Sequence, residues 1–204
     1  ALWPLMEAVD RLDQKRYKAM LPWLLLAWFC KESMPLYVAA FGAYMLLFAP
    51  EARKLGAAIA VAGAAGLLIT VGWIQPTLLA GGPQGMIHAA NYDAFGKSLP
   101  DAVVGMAKNP LRTALLALSP IEKRMALLTT WIGAGVLAIW RPRYLILALP
   151  TLVERFLSSK QQMWEMGYHY AAPLTLYVAV AAVDALPRFM EHPHRWKARL
   201  ERPV

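Results

Sequence analysis

Residues 55–79 read LGAAIAVAGAAGLLITVGWIQPTLL, a run with no charged side chain. A bilayer core asks for roughly 20 apolar residues of helix, so this window alone predicts a membrane-spanning helix. Its small residues, Gly56, Gly63 and Gly66 among them, suit close helix packing better than chemistry.

The neighbouring windows extend that reading. Apolar stretches run from about 125 to 140, from 144 to about 157, and from about 168 to 186. Residues 19–48 are also apolar, but the CKES sequence at Cys30–Ser33 interrupts them and predicts two short helices. Over all 204 residues, 58% are hydrophobic and 17% charged, against about 25% charged in an ordinary soluble domain; the mean hydropathy is +0.39. The fold class expected is all-α: a polytopic transmembrane bundle of about six segments plus a partial first helix. Residues 1–190 form one transmembrane domain, part of a larger one, with an extracytoplasmic loop at about 80–120. Residues 191–204 form a basic cytoplasmic tail attracted to anionic lipid heads.

The opening ALWPLMEAVDRLDQKRYK carries no secretory signal and reads as the end of a helix that starts earlier. Alternating the helices puts Arg11, Lys15, Arg16 and Lys18 on one side with Arg53, Lys54, Arg141, Arg143 and the arginines of the tail. That side holds most of the 21 basic residues and is assigned to the cytoplasm, with the carboxy-terminus. Asp184, a turn from that end of the last helix, is expected to reach water.

The opposite side gathers the more varied polar residues. Lys31 and Glu32 interrupt an apolar run, where an ionisable group is expensive unless paired or wet. Glu154 and Arg155 end one helix, and Tyr168, His169 and Tyr170 begin the next. Between them lies a segment with His88, Asn91, Tyr92, Asp93 and Lys97. If the helices bundle, these groups meet in one extracytoplasmic pocket.

These same stretches resemble a known family. FCKESMPLYVAAFGAYMLLF is similar to the "KED" helix pair of the membrane-protein family called domain of unknown function 2079. NYDAFGKS followed by NPLR resembles its loop, and LPTLVERFLSS with YHYAAPL resembles its closing signature. The order and spacing of the blocks agree, and the resemblance covers about residues 1–190. Two departures stand out. Ser33 occupies a position where the family usually has aspartate, and the family's amino-terminal half, with an aspartate-bearing first loop, is not in this sequence.

The resemblance implies a glycosyltransferase of the C-type superfamily, working outside the cytoplasmic membrane of a bacterium or archaeon on a polyprenyl-phosphate sugar donor. The expected catalytic carboxylate belongs to the half not present, so no catalytic residue is assigned. Lys31 and Arg155 are candidates to hold the lipid phosphate, and His169 to donate to a phosphate or sugar oxygen. Glu32 is a candidate to accept from sugar hydroxyls or to neutralise Lys31, His88 to line the substrate pocket, and Tyr92, Trp164, Tyr168 and Tyr170 to stack on a sugar face.

Plainer readings stand beside these. Lys31 and Glu32, adjacent in sequence, do not face each other on a helix and each can snorkel or pair elsewhere. Glu154 and Arg155 can be helix-end charges, and the aromatic residues an interfacial belt. A non-catalytic accessory subunit of a larger membrane complex is the main alternative; a transporter is a fainter one. No P-loop, serine elbow, HExxH or paired CxxC motif is present. His192 and His194 alone make a poor metal site, no metal or organic cofactor is expected, and one cysteine permits no internal disulfide. The pI of about 9.7 is better explained by membrane topology than by nucleic acid, because no soluble domain presents the charge.

Overall fold

The computed structural model describes residues 2–78, 89–97, 99–133, 136–165 and 172–191. Among them every regular element is helical and there is no strand. The helices, in chain order, are α1 (Leu2–Asp13), α2 (Tyr17–Trp28), α3 (Met34–Phe48), α4 (Arg53–Ile69), α5 (Gln75–Leu78), α6 (Leu99–Lys108), α7 (Pro110–Ala117), α8 (Ile121–Gly133), α9 (Leu145–Phe156), α10 (Gln161–Trp164) and α11 (Ala172–Glu191).

α3 is the axis of the bundle. Pro35, Tyr37, Ala40, Phe41, Gly42 and Met45 spread over more than half of its circumference, and all are buried. A helix apolar on every side belongs in the interior, and α2, α4 and α9 surround this one. α1 packs on α2, while α11 packs on α9 and on the 3₁₀ segment Val136–Trp140. Leu5, Met20, Phe41, Met45, Leu147 and Leu174, from five of these helices, are wholly buried in one core.

The expected break at Cys30–Ser33 is present. α2 stops at Trp28 and α3 begins at Met34 with Pro35 in its first turn, where proline's missing N–H costs nothing. α3 and α4 then meet almost backbone to backbone. A Cβ added at Gly56 would lie 2.7 Å from the Met45 Cβ, and one at Gly63 would lie 2.6 Å from the Pro35 carbonyl oxygen. Gly56, Gly63 and Gly66 therefore serve packing, as read from the sequence.

The all-helical expectation holds across the described residues, but helix length departs from six full spans. Among the described residues one continuous helical run, Pro50–Ile74, is long and apolar enough to cross a bilayer, with 25 residues and a mean hydropathy of 2.1. Met34–Phe48 and Ala172–Pro187 are apolar but shorter. α9 has 12 residues and α8 has 13, or roughly 18–20 Å at 1.5 Å per residue. The apolar window 125–140 is not one helix: α8 ends at Gly133 and a 3₁₀ turn begins at Val136. The segment 80–120, expected as a loop, carries α6 and α7. Pro110 starts α7, a position where its fixed φ favours the helix.

The outer surface is apolar where a soluble protein would be charged. Phe29, Leu68, Trp73, Leu78 and Leu111 are each more than two-thirds exposed, and only 17% of the most apolar window of the long helical run is buried. Exposed large apolar side chains in this number are what hydrocarbon surroundings accommodate.

Candidate functional site

The α3 amino-terminus and the α9 carboxy-terminus lie at the same end of the bundle. There Tyr37 donates to Glu154 Oε2 at 3.0 Å, and its oxygen lies 3.0 Å from Thr151 Oγ1. The tyrosine has one proton, committed to the carboxylate, so Thr151 is the donor in the second bond. Tyr92, in the 3₁₀ turn Ala89–Tyr92, donates to the Glu154 carbonyl oxygen at 3.1 Å. Burial, and then the nearby Glu154, push the Tyr92 phenol above its ordinary pKa, so it remains a donor.

Two buried cations organise the turn that follows. Arg155, 1% exposed, donates through Nε to the Met163 carbonyl at 2.8 Å and through Nη2 to that of Trp164 at 3.1 Å. Among the described residues its Nη1 is buried without a partner, as are Trp164 Nε1 and Asn91 Oδ1. Lys123, from the first turn of α8, places its ammonium 2.7, 3.1 and 3.1 Å from the carbonyl oxygens of Phe156, Ser158 and Leu116. The Trp164 ring centroid is 5.8 Å away. All three ammonium protons are thus used on main chain. Burial pushes the Lys123 pKa down, while these carbonyls favour the charged form. The Asn91 carbonyl completes the turn, accepting from the Ser159 amide at 2.7 Å and its hydroxyl at 3.2 Å.

Of the residues singled out in sequence, Tyr92 donates to the Glu154 carbonyl near the end of α9, and Arg155 is the next residue of that helix. Lys31 and Glu32, both half-buried, lie in the turn before α3; each has an interaction partner. Ser33 follows them with its Oγ buried and unbonded, and Tyr37 stands one turn farther along. His88, Tyr168, His169 and Tyr170 lie outside the described residues. Arg155 differs from an exposed phosphate clamp, because two of its nitrogens are spent on main-chain carbonyls. Trp164 is 6% exposed and packs inside the turn, with the Lys123 ammonium over its ring rather than open to a sugar.

Sequence reasoning did not select Tyr37, Thr151 or Lys123. A hydroxyl inside an otherwise apolar run, as at Tyr37 in MPLYVAAF, was the available signal, since such a group needs a partner in a core. Lys123 gives none: within IEKRM it resembles any helix-end charge. Among the described residues no group of three or more His, Cys, Asp or Glu is placed to hold a metal ion.

The opposite end of the bundle holds a separate charge cluster. Asp184 of α11 takes Arg141 Nε at 2.7 Å and Arg143 Nη2 at 2.8 Å. Tyr144 donates to Asp13 at 2.8 Å and accepts from Arg143 Nη2 at 3.1 Å. Asp184, expected to reach water and 29% exposed, also joins the chain before α9 to α11, and Tyr144 joins both to α1. Arg11, Lys15, Arg53, Arg141 and Arg143 all belong to this end, as the alternation of helices predicted.

A family model described as "Predicted membrane protein (DUF2079)" matches residues 4–202. No curated protein matches the chain, and no solved structure matches it.

Proposed function

The chain belongs to the predicted-membrane-protein family DUF2079, and from that premise we propose that it is the carboxy-terminal part of an integral-membrane glycosyltransferase of the C type. In this reading a sugar is transferred from a polyprenyl-phosphate donor at the end of the bundle where α9 terminates. The observation that carries it is the pair of buried donors at the two ends of one turn, Arg155 Nη1 and Trp164 Nε1, neither of which has an acceptor among the described residues. An unsatisfied buried N–H costs about 1–3 kcal/mol, and a phosphate oxygen is an acceptor suited to a guanidinium.

The division of labour then follows charge. Arg155 meets the phosphate of the lipid carrier and stabilises the negative charge that grows there as the glycosidic bond breaks. Lys31 adds a second cation from the turn before α3, and Lys123 holds the 156–164 turn in place. Glu32, His88, Tyr92, Tyr168, His169 and Tyr170 are proposed to contact the sugar. The general base that takes the acceptor's proton is assigned to no residue of this chain. The expected surroundings are a cytoplasmic membrane, with the α9 terminus outside and the basic end inside.

A second reading is favoured by a different observation. Arg155 spends two nitrogens on the carbonyls of Met163 and Trp164, which is how a purely structural arginine pins a turn. That arrangement fits an accessory subunit in a larger membrane complex.

The experiment is to titrate the full-length protein in detergent with a long-chain polyprenyl phosphate, beside Arg155→Lys and Arg155→Gln variants. Polyprenyl-phosphate binding that weakens at least roughly tenfold in Arg155→Gln, with partial recovery in Arg155→Lys, supports the glycosyltransferase reading. Unchanged binding with a lowered melting temperature leaves the accessory reading.

A further inference from the structure

We propose that the basic end of the bundle carries a binding groove for the phosphate headgroup of an anionic membrane phospholipid. The proposal is independent of glycosyl transfer, since the groove lies at the opposite end from the α9 terminus.

The groove, of about 800 Å³, lies between the corner joining α1 to α2 and the first turn of α4. Lys15, Arg16, Lys18, Arg53 and Lys54 line it, against one carboxylate, Glu51. Glu51 already accepts from Tyr17 at 2.6 Å, and the Lys15 ammonium stands 4.0 Å from it. The other cations are exposed, and no carboxylate within the groove remains for them. A phosphate is an anion of the sign that this groove attracts.

The backbone supplies an independent reason. Lys15 has φ 58°, the left-handed conformation, and sits where a helix C-cap ordinarily has glycine. The paired bonds of that cap are present: Arg16 N–H to the Arg11 carbonyl at 2.8 Å and Lys15 N–H to that of Leu12 at 3.0 Å. For a residue with a Cβ this conformation is costly. The fold nevertheless holds a lysine there, with its side chain 77% exposed beside the groove.

Position selects a lipid over a soluble anion. The groove opens at the first turn of the 25-residue helical run Pro50–Ile74, where headgroups meet a bilayer-crossing helix. α2 and α4 both pack on α3, and they close on each other at the far end, where Gly66 abuts the Trp28 ring. Leu21 and Leu25 of α2 and Val61 of α4 are exposed, so the two helices that flank the groove carry apolar surface for an acyl chain.

The test is to titrate the purified full-length protein in nonionic detergent with phosphatidylglycerol, phosphatidylcholine and glycerol 3-phosphate. Binding is read by native mass spectrometry and melting temperature. Phosphatidylglycerol is expected to bind at least roughly tenfold more tightly than phosphatidylcholine, from about fivefold per basic residue near the headgroup. Lys15→Gly relieves the backbone, so the lipid-free melting temperature holds or rises while phosphatidylglycerol affinity falls about fivefold. Glu51→Gln removes the competing carboxylate and tightens it. Equal binding of the two lipids, undiminished preference in Lys15→Gly, or unchanged or weaker binding in Glu51→Gln would each overturn the proposal. Glycerol 3-phosphate binding as tightly as phosphatidylglycerol would overturn it in favour of a soluble-phosphate site.

Discussion

Tyr37 and Glu154, far apart in the chain, are joined by a 3.0 Å hydrogen bond that ties the start of α3 to the end of α9. Because Thr151 also donates to the same phenolic oxygen, removing that oxygen breaks both bonds. Tyr37→Phe is expected to lower stability by about 1–3 kcal/mol. Chemical denaturation in a mild detergent measures it, and a loss below a few tenths of a kcal/mol would show that the two helices are held by apolar packing alone.

The α3–α4 contact makes a sharper claim about size. Gly63 faces the backbone around Pro35 and Ala39, whereas nothing lies within 4 Å of the Cβ position at Gly72. Gly63→Val should therefore cost about 1–3 kcal/mol or more through forced separation of the helices. Gly72→Ala should leave the melting temperature near that of the wild type. Equal tolerance at both positions would refute the close approach.

At the basic end, pH dependence has a defined sign. The hydrogen bond from Tyr17 holds the Glu51 carboxyl below its ordinary 4.5, so its contribution to stability is present above pH 4.5 and fades as the pH falls through the depressed value. Partial burial and Glu51 push Tyr17 up to about 12. Its contribution is therefore full below pH 10 and lost as the pH rises through about 12. The difference in melting temperature between wild type and Tyr17→Phe should be flat from about pH 6 to 9 and shrink below 4.5. A difference that grows on acidification contradicts the pairing.

Lys123 holds three carbonyls with three protons, which makes it a support for the 156–164 turn rather than a ligand. Lys123→Met is expected to destabilise the protein by about 2–4 kcal/mol through loss of those bonds. It should also increase proteolysis or hydrogen exchange at Ser158–Trp164. Unaltered exchange there would mean that Arg155 alone fixes the turn.

Much of the helical layout was legible because membrane helices announce themselves by composition. Residues 55–79 lack charge, the CKES break separates two apolar runs, and α9 occupies the window 144–157 nearly to the residue. Legibility failed where helices are shorter than their apolar windows. Residues 125–140 look like one span, yet α8 stops at Gly133, since hydropathy does not register the weak helix propensity of glycine. Within the candidate site, Tyr92 and Arg155 were found because polar residues stand out against an apolar background. Tyr37 and Lys123 were not, because partners distant in sequence leave no local trace.

By itself the sequence determined the class of the protein and the sorting of its charges to two ends, because burial in hydrocarbon constrains composition residue by residue. Tertiary structure alone decided which charges are spent and which are available. Arg155 and Lys15 look alike as basic residues beside apolar helices. Packing encloses the first among main-chain carbonyls with one nitrogen unsatisfied, and a left-handed corner leaves the second exposed beside a basic groove. Hydrogen-bond saturation depends on what other helices bring within 3 Å, a property of the assembled bundle and not of any one segment.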